Sequence, residues 1–248
     1  MGTRVPVEVL ERAFLRFAAD ARRNAEAAGS QGVPRKPRVI TISRQLGSGG
    51  RRVAETLGRR LGWPVWDREI LDVLSQQSAR HYQSRMFEQL DERAQGEIEA
   101  FLSSLFGQPD KHLYFYGLPR AILIIAQHDA IIVGRGAHLL LPESLKVKIT
   151  ASLDTRIRNM IRFEGMDELT ARERIAASDR ERETFMRELA YRLRLGHRIG
   201  ERSEFDLTIC TDTLDVEGAA SLVLAAATRL FGLKPTPEAT LIGTTARG

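Results

Sequence analysis

The sequence predicts an α/β protein built on a parallel sheet with helices on both faces. Three observations carry this. Short, continuously apolar runs, suited to strands buried on both sides, alternate along the chain with longer helical patterns. The first of these runs leads through a glycine-rich turn into a helix over residues 38–61, RVITISRQLGSGGRRVAETLGRRL. Residues able to bind anions then recur at the carboxyl ends of the predicted strands, where ligands bind in such sheets.

Ahead of the first strand, residues 6–28 place Val9, Leu10, Phe14, Leu15, Phe17 and Ala18 at helical spacing, with charged residues opposite. Residues 29–37 form a linker rich in glycine and proline. A helix outside the sheet is expected to pack on the domain or on a second subunit, the latter giving a homodimer. Glu8, Glu11 and Asp20 make its polar face mixed rather than basic, which argues against a membrane-surface role.

The first strand is the β-branched run Val39-Ile40-Thr41-Ile42. The turn Gly47-Ser48-Gly49-Gly50 follows, then a helix with Val53, Leu57 and Leu61 on its apolar side. Strand, glycine turn and helix form the layout of a phosphate-binding loop, in which backbone N–H groups turn inward and the helix dipole favours an anion. The side chains depart from the GxxxxGK(S/T) fingerprint, because Gly50 stands where the lysine would be and arginines follow. Arginine at a helix N-terminus opposes the dipole unless an anion sits there, which points Arg51 towards function.

Val65-Trp66 forms a short strand running into Asp67-Arg68-Glu69. Residues 69–106 are polar and helical in pattern, with a break at Gln108-Pro109-Asp110. A helix over 118–128 leads to the strand Ala130-Ile131-Ile132-Val133, which ends in Gly134-Arg135-Gly136. Residues 146–150 are the next strand, ending near Asp154, and residues 155–195 are a long, arginine-dense helical region. Leu207-Thr208-Ile209-Cys210 is the fifth strand and residues 216–231 the last helix. The organisation is thus an N-terminal helix and linker (1–37), a domain (38–233) and a loose tail (234–248).

The formal charge of +5 and pI near 9.7 come from arginine, since there are only five lysines, at 36, 111, 146, 148 and 234. Arginine suits forked contact with phosphate, although GC-rich coding produces the same excess. No interleaving of aromatic and basic residues supports nucleic-acid binding. Cys210 stands alone in an apolar run and reads as a core residue, and the lack of a disulfide framework suits a reducing cytoplasm. No apolar stretch approaches the ~18 residues of a membrane span, and the N-terminus lacks a signal peptide's apolar core. The chain reads as cytoplasmic. His81, His112, His128, His138 and His197 show no metal-ligand spacing and read as structural or surface residues.

In this order the pieces resemble the cytidylate-kinase-like branch of the nucleoside monophosphate kinases. The matching stretches are ITISRQLGSGGRRVAETLGRRLGWPVWDREIL (40–71), IIVGRGAHLLL (131–141), KVKITASLDTRIRNM with ARERIAASDRERETF, and FDLTICTDTLDVEGAASLVL. The resemblance implies a P-loop kinase fold: a five-stranded parallel sheet flanked by helices, a helical acceptor-binding insertion at 69–118 and an arginine-rich lid at 155–195. It implies transfer of the γ-phosphoryl group of ATP, with Mg2+, to CMP or a similar nucleotide.

Carried onto this chain, the donor phosphates would be held by Arg44, Gly47, Ser48, Gly49, Gly50, Arg51 and Arg52, with Arg51 reaching the β/γ-phosphates in place of the lysine. Arg156, Arg158, Arg162, Arg180 and Arg182 would supply guanidinium groups from the lid. Arg120 and Arg135 would hold the acceptor's phosphate, Arg135 matching the arginine of the family's aspartate-glycine-arginine run. Asp67 would orient the acceptor or a metal-bound water, or else cap the following helix. The family's loop threonine is replaced by Arg52 and its strand-end aspartate by Val133, so metal ligation would fall to Asp67, Asp154, waters and phosphates. The motif Asp67-Arg68-Glu69-Ile70-Leu71 also lacks the family's threonine, tyrosine and arginine. These replacements leave a second reading open: a non-catalytic nucleotide-binding protein whose degenerate loop serves regulation or assembly.

Overall fold

Strand β1 (Val39–Arg44) is buried over its first four residues, as the β-branched run requires of a central strand. The computed structural model describes residues 15, 17–19, 36–75, 80–106, 113–193 and 204–233. Helix α1 (Gly50–Leu61) follows β1, then β2 (Val65–Trp66), helices α2 (Arg68–Leu74), α3 (Arg80–Phe87), α4 (Glu92–Phe106) and α5 (Leu113–Ile125). Strand β3 (Ala130–Val133), helix α6 (Ala137–Leu140), strand β4 (Leu145–Thr150), helices α7 (Leu153–Glu164) and α8 (Glu168–Arg192), strand β5 (Leu207–Cys210) and helix α9 (Val216–Phe231) complete it.

The five strands lie in the order β2-β3-β1-β4-β5, and every pairing is parallel. Parallel neighbours need crossover connections, and the helices that make them cover both faces. On one face Val53, Ala54 and Leu57 of α1 pack with Ala219, Ala220 and Val223 of α9 against Ile40, Ile42 and Val147 of the sheet. On the other, Leu71, Met86, Leu102, Ile122 and Ile125 from α2–α5 surround Trp66 and Ile132. Ile157, Met160, Ala171 and Ile175 hold α7 against α8 in a smaller cluster.

The P-loop kinase fold expected of the sequence is the fold observed. The helical stretch expected after β2 is divided into α2, α3 and α4. The long lid helix is two helices, because Gly165 closes α7 in the left-handed conformation and Asp167 caps α8 through the Thr170 amide. Cys210 corrects a reading: it is exposed. Strand β5 is an edge strand in which Ile209 alone is buried, so Thr208 and Cys210 face outward. Phe17 is 2% exposed and belongs to the core cluster with Trp66, meeting the His128 ring edge-on at 4.5 Å. The rest of the expected N-terminal helix, apart from residues 15, 18 and 19, lies outside the described residues, as do most of the linker, the break at 108–110 and the tail. Among the described residues, no helix is long and apolar enough to cross a membrane.

Candidate functional site

The β1–α1 loop presents its backbone in one sense. Four successive carbonyls accept hydrogen bonds from the surrounding protein. Gln45 O takes the Ser48 amide at 3.2 Å and the Ser48 hydroxyl at 2.8 Å. Leu46 O takes Arg156 Nε at 2.7 Å, Gly47 O takes Asn159 Nδ2 at 2.7 Å, and Ser48 O takes the Thr211 hydroxyl at 2.8 Å. Among the described residues, the amides of Leu46, Gly47, Gly49, Gly50, Arg51 and Arg52 enter none of the turn and cap hydrogen bonds. A row of unengaged N–H groups at a helix start is the backbone's means of binding phosphate. Gly47 is required here: its φ is +80°, and a Cβ would lie 2.7 Å from Arg156 O. Helix α1 has no side-chain cap and no acid in its first turn, so its own residues do not offset its positive end.

Beside the loop, at the carboxyl ends of β1 and β3, lies a cavity of about 260 Å³. Ser43 and Arg44 form its floor, Arg68 of α2 one side, Gly134, Arg135 and Gly136 another, and Glu181, Arg182, Phe185 and Met186 of α8 its cover. Four guanidinium groups therefore face one small space. Burial first, and the neighbouring charge of Arg182 second, bring the Arg44 guanidinium down to about 10, with Asp67 opposing. Arg182 is lowered for the same leading reason, burial, with Asp179 opposing.

The turn after β3 has three successive residues of positive φ: Gly134 (81°), Arg135 (53°) and Gly136 (66°). Arg135 is the one non-glycine residue with positive φ among the described residues, a conformation costing on the order of 1–3 kcal/mol. Its guanidinium is held by Asp72 and lies 5.1 Å from the Phe185 ring. Its Nε is buried without a hydrogen-bond partner among the described residues. Such a donor suits a bound anion.

The expected site residues separate into groups. Arg44, Arg135 and Arg182 line the cavity, and Gly47, Ser48, Gly49 and Gly50 form the adjoining loop. Arg51 is engaged by Glu55 (3.1 Å), Asp67 (3.3 Å) and Glu69 (3.9 Å). Arg52 is exposed and lies 4.3 Å from the Phe163 ring. Asp67 Oδ1 accepts the amides of Glu69 (3.1 Å) and Ile70 (3.2 Å), so this residue caps α2. Arg156 is 4% exposed, with its donors spent on Leu46 O and Asp179. Arg180 is exposed, and Arg120 pairs with Glu99 over the Phe87 ring; neither lines the cavity. Sequence reasoning missed Arg68, Asp72, Glu181 and Phe185, whose helical positions look like ordinary charged or core faces.

The donor set fits a polyphosphate and does not fit a protein-held magnesium ion. The loop offers unengaged amides and the cavity offers guanidiniums. By contrast Asp67 is occupied as a cap and by Arg51, Asp154 is exposed and outside the cavity lining, and Val133 is apolar. No group of three His, Cys, Asp or Glu side chains able to hold a metal occurs among the described residues.

An all-parallel 2-3-1-4-5 sheet with a glycine-rich strand-to-helix loop after its central strand defines a P-loop kinase-like protein. The chain belongs to the cytidylate kinase-like family, whose model matches residues 39–213. Among solved structures it is similar to an uncharacterized protein from Eubacterium ventriosum, with 20% identity, 78% of this chain and 99% of that one covered, and a TM-score of 0.52. That likeness supports the fold. Weaker superpositions are found with TT1252 from Thermus thermophilus (20% identity, 77% and 98% covered, TM-score 0.44). Another is shikimate kinase from Bacteroides thetaiotaomicron (14% identity, 79% and 99% covered, TM-score 0.37). No curated protein matches the chain.

Proposed function

We propose that this protein moves the γ-phosphoryl group of ATP to a small phosphorylated acceptor, a nucleoside monophosphate of the cytidylate type being the first candidate. One observation carries the reading: a loop of unengaged amides at a helix start adjoins a cavity walled by four arginines. The loop residues Gly47 to Arg52 and Arg44 would hold the donor phosphates, and Arg135 with Arg68 the acceptor's phosphate. Arg182, together with Arg51 and Arg180, would screen charge as the group moves. Asp67 would fix the approach of Arg51, and Arg156 the lid.

In the transfer, the bond from the γ-phosphorus to the β–γ bridging oxygen breaks while one forms to an acceptor oxygen. ADP departs with the bonding electrons. Such a reaction requires alignment and charge neutralisation more than covalent chemistry. With α8 lying over the cavity, water would be kept from the transferred group, which strengthens those interactions. Magnesium belongs to this reading as an ion carried in by the phosphates of ATP, where it neutralises their charge.

Titration with ATP, with and without magnesium, followed by a transfer screen over CMP, UMP, dCMP, AMP and shikimate-like acceptors, tests the proposal. ATP binding and ADP formation with one of these acceptors is the expected result. Binding without transfer to any acceptor would move the protein to the second reading, a nucleotide-binding regulatory module. That reading is favoured by Gly50 and Arg52 standing where ordinary cytidylate kinases have lysine and threonine. No ATP binding would remove both.

A further inference from the structure

We infer that Arg44, at the end of β1, takes over the phosphate contact that Gly50 leaves vacant, reaching the donor phosphates from the strand side of the loop. The inference rests on the ATP-binding reading above and assigns one side chain within it.

The two positions compete for the same space. A Cβ on Gly50 would lie 2.6 Å from Arg44 Cβ and 3.3 Å from both Arg44 Cδ and Ile149 Cβ. The stem of Arg44 thus runs where a side chain from position 50 would start, and the absence of a side chain at 50 is what admits it. From there Arg44 reaches the cavity, its Nη1 coming within 3.9 Å of the place a Cβ on Gly134 would take.

Among the four described arginines that line the cavity, Arg44 is the one with no ion pair. Arg51 is neutralised by three carboxylates, Arg68 and Arg135 share Asp72, and Arg156 and Arg182 share Asp179. Among the described residues no hydrogen bond or ion pair engages the Arg44 guanidinium; Arg182, Arg68 and Arg51 stand near enough to repel it, and Asp67 offsets part of that repulsion. A sequestered cation in that setting is costly until an anion arrives. Arg51, the sequence's first candidate for the missing lysine, carries no such unmet demand.

Arg44→Met keeps the stem and removes the charge, Arg44→Lys keeps a charge, and Arg51→Met is the rival. Arg93→Ala, at an exposed position on α4, is the control. ATP affinity is read by calorimetry, and thermal midpoints are read with and without ATP. Arg44→Met should lose about tenfold or more in affinity, Arg44→Lys should recover part of it, and Arg93→Ala should match the wild type. The unliganded Arg44→Met protein should melt no lower than the wild type, while its midpoint gain on adding ATP collapses. ATP binding by Arg44→Met within about threefold of wild type, or a loss at Arg51→Met equal to that at Arg44→Met, overturns the assignment while leaving ATP binding intact. A lower unliganded midpoint with undiminished ATP response would make Arg44 a structural residue and also overturns it. If the wild type binds no ATP, the underlying reading falls and this assignment falls with it.

Discussion

Arg156 of α7 and Asp179 of α8 form a forked ion pair, Nη1 to Oδ2 at 2.9 Å and Nη2 to Oδ1 at 2.8 Å, that fastens the two helices together beside the β1–α1 loop. The remaining Arg156 donor, Nε, holds Leu46 O, and Asp179 Oδ1 also accepts Arg182 Nη1 at 3.2 Å. One carboxylate therefore sets both the loop's outward carbonyl and a cavity arginine. Asp179→Ala strands the buried Arg156 guanidinium and should cost about 1–3 kcal/mol. Chemical denaturation checks this. Adding Arg156→Leu should cost less than the sum of the single changes, because the stranded charge goes with it.

Asp67 has two separable tasks. Its Oδ1 caps α2, while its Oδ2 faces Arg51 Nη2 at 3.3 Å. Asparagine keeps the capping oxygen and drops the charge. Asp67→Asn should stay within about 0.5 kcal/mol of wild type in denaturant, whereas Asp67→Ala should lose about 0.5–2 kcal/mol. An equal loss in both would mean that the charge contact with Arg51, rather than the cap, holds this end of α2.

How far the sequence foretold the site follows from where each signal resides. Val39-Ile40-Thr41-Ile42 and Ala130-Ile131-Ile132-Val133 announce buried parallel strands because every side chain in them is apolar or β-branched. The turns at 47–50 and 134–136 are visible because glycines mark them. Asp72 and Glu181 were hidden, since a carboxylate on a helix looks the same whether it meets solvent or an arginine from another element. The role of Arg156 was hidden for the opposite reason. It lies 23 residues from Asp179 and 110 from Leu46, so its burial is a product of tertiary packing alone. Cys210 misled because a short apolar run does not tell a central strand from an edge.

The pH response has a defined origin at the end of β5. Asp212 Oδ1 accepts the Ser152 amide at 2.8 Å, joining the strand's exit to the start of α7. That amide first, then the hydroxyls of Thr155 and Ser152, hold its carboxyl down at about 2. The ordinary aspartate value is near 3.9. A carboxyl lowered on folding stabilises the protein fully above its unfolded pKa, and that contribution is lost as pH falls through its folded one. Stability should therefore drop between about pH 4 and 2, and Asp212→Asn should flatten this part of the profile. Denaturation midpoints measured at pH 5 and 2.5 decide it, with carboxyl carbon NMR locating the titration.

Gly50 offers the sharpest structural test, because two rules predict opposite signs there. Replacing glycine by alanine within a helix ordinarily gains about 0.5–1 kcal/mol. Here the new Cβ would sit 2.6 Å from Arg44 Cβ, with Ile149 Cβ 3.3 Å away, so neither strand can yield cheaply. Gly50→Ala should instead cost about 1–3 kcal/mol, the usual range for overfilling a packed site. Arg44→Gly removes the opposing carbon, so on that background Gly50→Ala should cost much less, with a coupling of about 0.5–3 kcal/mol. Gly50→Lys, which restores lysine at the usual position, should be destabilising and should leave ATP affinity no higher than wild type. A gain in affinity from Gly50→Lys would show that the loop accepts a lysine despite Arg44, and that the two side chains do not compete for one place.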